Sequence, residues 1–216
     1  MYQLNCNHIG ELINVLKHHQ HIHSLEFFRK YKKPFNLNKK RVDDILSSNG
    51  DEIILDFAFE DYINNYCRKL LFKQLVIVQE LKQKDIHLSS SRLKQPQSRL
   101  SKLMTYRFEK NEKGKIPINK CLNDLFGVRF ICKFDDLEQA LEILSNYFSN
   151  EKRIKFIKKD NYGYKAIHIY IYGENNSYFP WEIQIWNYKD EESNKILHSK
   201  HKQGYLEWTK TLNKQR

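Results

Sequence analysis

Polar and apolar positions alternate strictly along Tyr164–Tyr172, YKAIHIYIY. Lys165, Ile167, Ile169 and Ile171 fall on one side of an extended chain, and Tyr164, Ala166, His168, Tyr170 and Tyr172 on the other. That period of two predicts a half-buried strand. The alternation recurs in Trp181–Trp186, where Trp181, Ile183 and Ile185 oppose Glu182, Gln184 and Trp186. It recurs again in Val128–Phe134, where Val128, Phe130, Cys132 and Phe134 oppose Arg129, with Gly127 read as the turn before the strand. Ile86–Lys94 is a further strand candidate that puts Arg92 and Lys94 on one face, and Arg153–Lys158 is another.

Helical spacing dominates elsewhere. Phe59, Tyr62/Ile63, Tyr66, Leu70, Val76/Ile77 and Leu81 form a 3.6-residue stripe over 57–84. Pro96 opens a helix to about Arg107, since proline suits the first helical turn. Residues 118 onward start with a short helix. Asp135 and Glu138 make a capping-box-like start to a helix with Leu141, Leu144, Tyr147 and Phe148 inward, and Asp135 and Asp136 read as caps. Residues 1–50 read as mostly helical. Residues 190–212 read as a charged helix or helix pair around Ile196, Leu206 and Trp208, with a break at Gly204. Strands and helices mix without a regular β-α-β repeat, which predicts an α+β domain with a largely antiparallel or mixed sheet.

Composition narrows the class. The 216 residues are 40% hydrophobic and 13% aromatic, enough for a core. No apolar run approaches the roughly 18–20 residues of a membrane span, and no secretory signal opens the chain. Cys6, Cys67, Cys121 and Cys132 show no C-x-x-C spacing and read as reduced cytosolic thiols, giving a cytoplasmic expectation. The formal charge of +11 favours a polyanionic partner, nucleotide or RNA. Arg29, Lys30, Lys32, Lys33, Lys39, Lys40 and Arg41 crowd into one segment as the candidate RNA contact. The run His18–His23, HHQHIH, matches no structural zinc spacing and reads as a solvated or RNA-facing helix surface.

The polar faces of the strands share a chemistry. Arg92 and Lys94, Arg129, Tyr164 and His168, Glu182 and Gln184, with Asp124 just before one strand, would form a cleft if the faces coincide. Two carboxylates suit Mg²⁺, cations neutralise phosphate, a carboxylate takes a hydroxyl proton and a tyrosine stacks on a base.

Four ordered segments resemble the RelA/SpoT alarmone synthetase family, in length its small single-domain members: Ser91–Lys94 with Ser98 and Lys102; Asn123–Arg129; Gly163–His168; and Glu182–Ile185. The resemblance implies a nucleotidyltransferase-like mixed sheet flanked by helices over 85–188. A helical N-terminal extension over 1–84 would precede it and a C-terminal helical segment over 189–216 would follow. It implies transfer of the β,γ-pyrophosphate of ATP to the 3′-hydroxyl of GDP or GTP, synthesis without hydrolysis, and Mg²⁺ as cofactor. Arg92 and Arg129 would sandwich adenine, and Lys94 and Lys102 would meet the ATP phosphates. Asp124 and Glu182 would hold Mg²⁺, with Glu182 also the base. Tyr164, His168, Lys165, Gln184 and Lys159 would serve the acceptor.

Trp186 stands where the family has Arg, Asp160 where it has Lys, Ala166 where it has Ser or Gly, and Leu197 where it has Glu, while His198 is kept. These departures gather on the acceptor side. They keep open a second reading, a toxin that pyrophosphorylates the tRNA 3′ end and pairs with an antitoxin. A third, from another class, is an inert RNA-binding module, which the intact Asp124 and Glu182 disfavour.

Overall fold

A five-stranded sheet organises the molecule, and its two faces differ as the alternation predicts. The structure, a computed structural model, describes residues 2–31, 33–50 and 52–197. In chain order the elements are α1 (Cys6–Lys30), β1 (Leu46–Asn49), β2 (Glu52–Leu55), α2 (Phe57–Gln83), β3 (Ser90–Leu93), α3 (Pro96–Met104), α4 (Ile118–Cys121), β4 (Phe126–Cys132), α5 (Leu137–Tyr147), β5 (Ile154–Asn161), β6 (Tyr164–Ile171) and β7 (Trp181–Asn187). β1 and β2 form a separate hairpin; the main sheet runs β3-β4-β7-β6-β5, antiparallel except for the β4–β7 pair. This is the expected α+β architecture with a mixed sheet flanked by helices.

One face of the sheet carries Phe130, Ile167, Ile169, Trp181, Ile183 and Ile185, all buried in the core. α1, α2 and α5 cover it. Trp181 Nε1 donates to Tyr66 Oη of α2 at 3.0 Å, and Phe148 after α5 stacks on Phe156 of β5. Gln20 of α1 donates to the carbonyls of Ile171 and Phe179 at 2.9 and 2.8 Å, so a buried amide ties α1 to the strand ends. α1 and α2 therefore pack into the same core as the sheet. With the helices on that side, the opposite face is left to build a cleft. No helix among the described residues is long and apolar enough to cross a membrane.

Several expectations need correction. Residues 1–50 are helical over Cys6–Lys30, with a short 3₁₀ turn at Val42–Asp44, and β1 was not foreseen. Arg29 and Lys30 end α1, while Lys33, Lys39, Lys40 and Arg41 lie in the loop after it, so the basic cluster is not a helix face. His19, Gln20 and His23 are buried rather than solvated: His19 meets Glu80 at 2.7 Å and His23 the Tyr66 carbonyl at 3.2 Å. Gly127 is no turn but an internal residue of β4. The cap of α5 is Asp136, which accepts from Gln139 N at 2.8 Å, rather than Asp135. Tyr147 is 56% exposed and donates to Asn7 instead of entering the core. α3 ends at Met104 and passes into a wide π-helical turn, Thr105–Glu109. Residues 191–197 are helical; His198, Gly204, Leu206 and Trp208 lie outside the described residues.

Candidate active site

Register assembles the polar face. One row across the sheet reads Arg92, Gly127, Glu182, Tyr170, and the next reads Ser90, Arg129, Gln184, His168. Residues paired in register point to the same face, so four strands contribute to one surface. Gly127 occupies the position between Arg92 and Glu182. A Cβ there would lie 3.6 Å from Glu182 Oε2 and 3.9 Å from Arg92 Nε, filling the space across which guanidinium and carboxylate face each other.

The floor is a cleft of about 710 Å³. All the candidate residues line it except Lys165: Asp124, Glu182, Arg92, Lys94, Lys102, Arg129, Tyr164, His168, Gln184 and Lys159. Lys165 alternates to the other side of β6, where it is exposed and its backbone bonds Asn194 at 2.9 and 2.8 Å. It lines a second small cleft near Asp136 and Lys158 rather than this one. The opposite case is Tyr170. It shares the strand face of Tyr164 and His168 but is not among the candidate residues. It is 5% exposed, lines the cleft, and sets its hydroxyl 3.1 Å from His168 Nδ1.

Asp124 sits just before β4. The backbone bond from Lys94 N to Leu125 O, 2.8 Å, brings the end of β3 beside it. Lys94 Nζ donates to Asp124 Oδ2 at 2.8 Å, and Lys102 Nζ, from the last turn of α3, donates to Oδ1 at 3.0 Å and to Asn123 Oδ1 at 3.0 Å. Burial pushes the Asp124 carboxyl up, but Lys102 and Lys94 outweigh it and hold the acid well below the usual carboxylate range. The two lysines move in opposite senses although both touch Asp124. Burial lowers Lys94, and Asp124 offsets this only in part because Lys102 repels it. Burial also lowers Lys102, but Asp124 together with Cys121 and Glu182 more than offsets it, and Lys102 ends raised. One carboxylate fully compensates one ammonium, so the trio carries excess positive charge.

Glu182 is buried and hydrogen-bonded on both oxygens. His168 Nδ1 lies 2.8 Å from Oε1, and Gln184 Nε2 donates to Oε2 at 2.8 Å. Burial raises the carboxyl, and His168, with Arg92 nearby, draws it down to about 2. Arg129 in turn donates to Gln184 Oε1 from Nε at 3.3 Å and Nη2 at 3.1 Å, and its guanidinium lies 3.5 Å from the Trp186 ring centre. Burial lowers Arg129 to about 10.

Arg92 Nη2 stands 3.9 Å from Asp124 Oδ2 and 4.0 Å from Glu182 Oε2, so one guanidinium faces both carboxylates. These are hard oxygen donors of the kind Mg²⁺ takes. Among the described residues no group of three His, Cys, Asp or Glu side chains gathers as a metal site. Two carboxylates alone would make a partial shell for Mg²⁺, which phosphate oxygens of a nucleotide would complete. Arg92, Lys94, Lys102, Arg129 and Lys159 against Asp124 and Glu182 leave the cleft cationic, a receptor for a polyphosphate.

The family model described as the region found in RelA / SpoT proteins matches residues 91–206. The solved structure of small alarmone synthetase 1 from Bacillus subtilis is 19% identical, covering 66% of this chain and 77% of that one, with a TM-score of 0.38. Small alarmone synthetase 2 from the same organism is 21% identical over 72% and 83%, at 0.34. A GTP pyrophosphokinase family protein from Streptococcus pneumoniae is 16% identical over 68% and 78%, at 0.39. No curated protein matches the chain. The family match takes in more than half the sequence and every side chain on the cleft floor except Ser90, and on it the chain belongs to the RelA/SpoT family.

Proposed function

We propose that the protein is an ATP-dependent pyrophosphokinase that moves the β,γ-pyrophosphate of ATP to the 3′-hydroxyl of GDP or GTP. The observation that carries this reading is the pair of buried carboxylates, Asp124 and Glu182, facing one arginine in a cleft otherwise lined by cations. Arg92 and Arg129 lie diagonally on adjacent strands of one face. Planar guanidinium groups stack on aromatic rings, so this pair is the candidate clamp for the adenine. Lys94 and Lys102 then meet the phosphates, and Tyr164, His168, Gln184 and Lys159 line the acceptor side.

Glu182, held ionised, takes the proton of the acceptor hydroxyl. The freed oxygen bonds to Pβ, the bond from Pβ to the oxygen bridging to Pα breaks, and AMP leaves with that electron pair. The product carries a 3′-diphosphate. Mg²⁺ held by Asp124, Glu182 and phosphate oxygens would neutralise charge on the transferring group.

The test is incubation with γ-labelled ATP and GDP, GTP or tRNA in separate reactions. Label on GDP or GTP is expected. Label on tRNA alone would replace the acceptor with the RNA 3′ end and bring the antitoxin question with it. No label on any acceptor would leave the inert-module reading standing.

A further inference from the structure

Trp186 is fully buried at the end of β7 and makes two different contacts with one ring system. Its face supports the Arg129 guanidinium at 3.5 Å from the ring centre. Its edge donates the indole N–H to Tyr164 Oη at 3.1 Å, with the two rings nearly perpendicular at 84°. Tyr164 Oη lies 2.8 Å from His168 Nε2, and His168 Nδ1 lies 2.8 Å from Glu182 Oε1.

The two ends of this chain have fixed roles. An indole nitrogen only donates and an ionised carboxylate only accepts. The Tyr164 hydroxyl therefore accepts the indole N–H, and Glu182 accepts from His168 Nδ1. An indole N–H accepts no proton, so its contact with Tyr164 holds the ring in place.

We propose that Trp186 is a positioning residue that ties the two nucleotide subsites together, its face setting Arg129 for the donor and its N–H setting Tyr164, and through it His168 and Glu182, for the acceptor. The inference rests on the pyrophosphokinase reading for what each subsite binds. Face and edge are separable by substitution. Trp186→Phe keeps a ring under Arg129 and removes the N–H. Trp186→Leu removes both.

The experiment measures ATP affinity by calorimetry and acceptor kcat/KM for each variant, with Tyr164→Phe as the partner that deletes the same bond from the other side. Trp186→Phe is expected to leave the ATP Kd within about twofold and lower acceptor kcat/KM about fivefold, the loss of one neutral hydrogen bond. Trp186→Leu is expected to raise the ATP Kd about tenfold as well, through the lost cation–π contact. Trp186→Phe and Tyr164→Phe together should cost less than the sum of the two, because both remove the indole–hydroxyl bond, while Tyr164→Phe alone also removes the bond to His168. Wild-type acceptor kinetics in Trp186→Phe, or an ATP Kd raised as much as in Trp186→Leu, would overturn the tether. If Trp186→Leu does not fold, the two phenylalanine variants, which keep an aromatic ring at each position, decide the matter. If the wild type modifies no acceptor, the pyrophosphokinase reading fails. The same double-mutant cycle is then read in unfolding free energy, where additive effects would overturn the tether independently.

Discussion

Asp124→Asn removes a single charge from the most heavily engaged group of the cleft, and its cost can be worked from contacts. The carboxylate accepts from two ammonium groups, at 2.8 and 3.0 Å, and all three side chains are largely withdrawn from water. An amide offers one weaker acceptor and turns its NH₂ toward a cation. Lys94 and Lys102 are then left buried without a counter-ion. Breaking a buried ion pair in this way costs about 3–5 kcal/mol. For a domain of this size that is a fall in Tm of roughly 6–20 °C. Adding Lys102→Met to Asp124→Asn deletes one orphaned ammonium and should recover roughly half the loss, a coupling that independent sites do not show. The assay is urea unfolding at pH 7 followed by circular dichroism on wild type, both single variants and the double variant. Asp124→Asn within about 1 kcal/mol of wild type, or a double variant as unstable as the sum of the singles, would refute the buried trio.

Glu182→Gln should abolish pyrophosphate transfer at a smaller stability cost, about 1–3 kcal/mol, because its amide must turn a donor toward His168 or Gln184; turnover and urea midpoints check both parts. Arg129→Lys should weaken ATP binding about tenfold in calorimetry, since an ammonium stacks poorly on both Trp186 and adenine. Burial, with Lys73 nearby, lowers His23 from 6.5 to about 4, so the unfolded chain binds a proton there that the folded one does not. That contribution is complete above pH 6.5 and is lost as pH falls through 4; unfolding free energy should decline across that window and the slope should flatten in His23→Phe. Glu182 adds a lower window, complete above 4.5 and lost as pH falls through about 2. Tyr162 takes a left-handed φ of 52° and is 99% exposed at the two-residue β5–β6 turn, so Tyr162→Asn should stabilise the fold by about 1 kcal/mol in urea titration.

The strands of the cleft were legible because one face of each is buried, which forces a period of two on β4, β6 and β7. Helix α2 was legible for the same reason at 3.6. What failed was information carried by partners rather than by neighbours in sequence. Gly127 ahead of an apolar run looks like a turn, and only the register sets it inside β4 between Arg92 and Glu182. His19 and His23 look like surface residues until Glu80 and the Tyr66 carbonyl are brought against them from α2. Lys165 was assigned from its place in a motif, against its own alternation, and the alternation prevailed. Asp124 was legible as an acid of the site but not as the counter-ion of two lysines, because Lys94 and Lys102 reach it from β3 and α3. Trp186 was legible only as a departure from the family; its contacts to Arg129 and Tyr164 give that departure a physical content.

The central claim is that a pyrophosphoryl group, not a phosphoryl group, leaves ATP for a guanine nucleotide. It is tested most directly by quantifying adenine products when ATP and GDP are incubated with wild type and with Glu182→Gln. The account predicts AMP in one-to-one ratio with pyrophosphorylated guanine nucleotide for wild type, and neither for Glu182→Gln. ADP as the adenine product, or AMP formed equally well by Glu182→Gln, would contradict it.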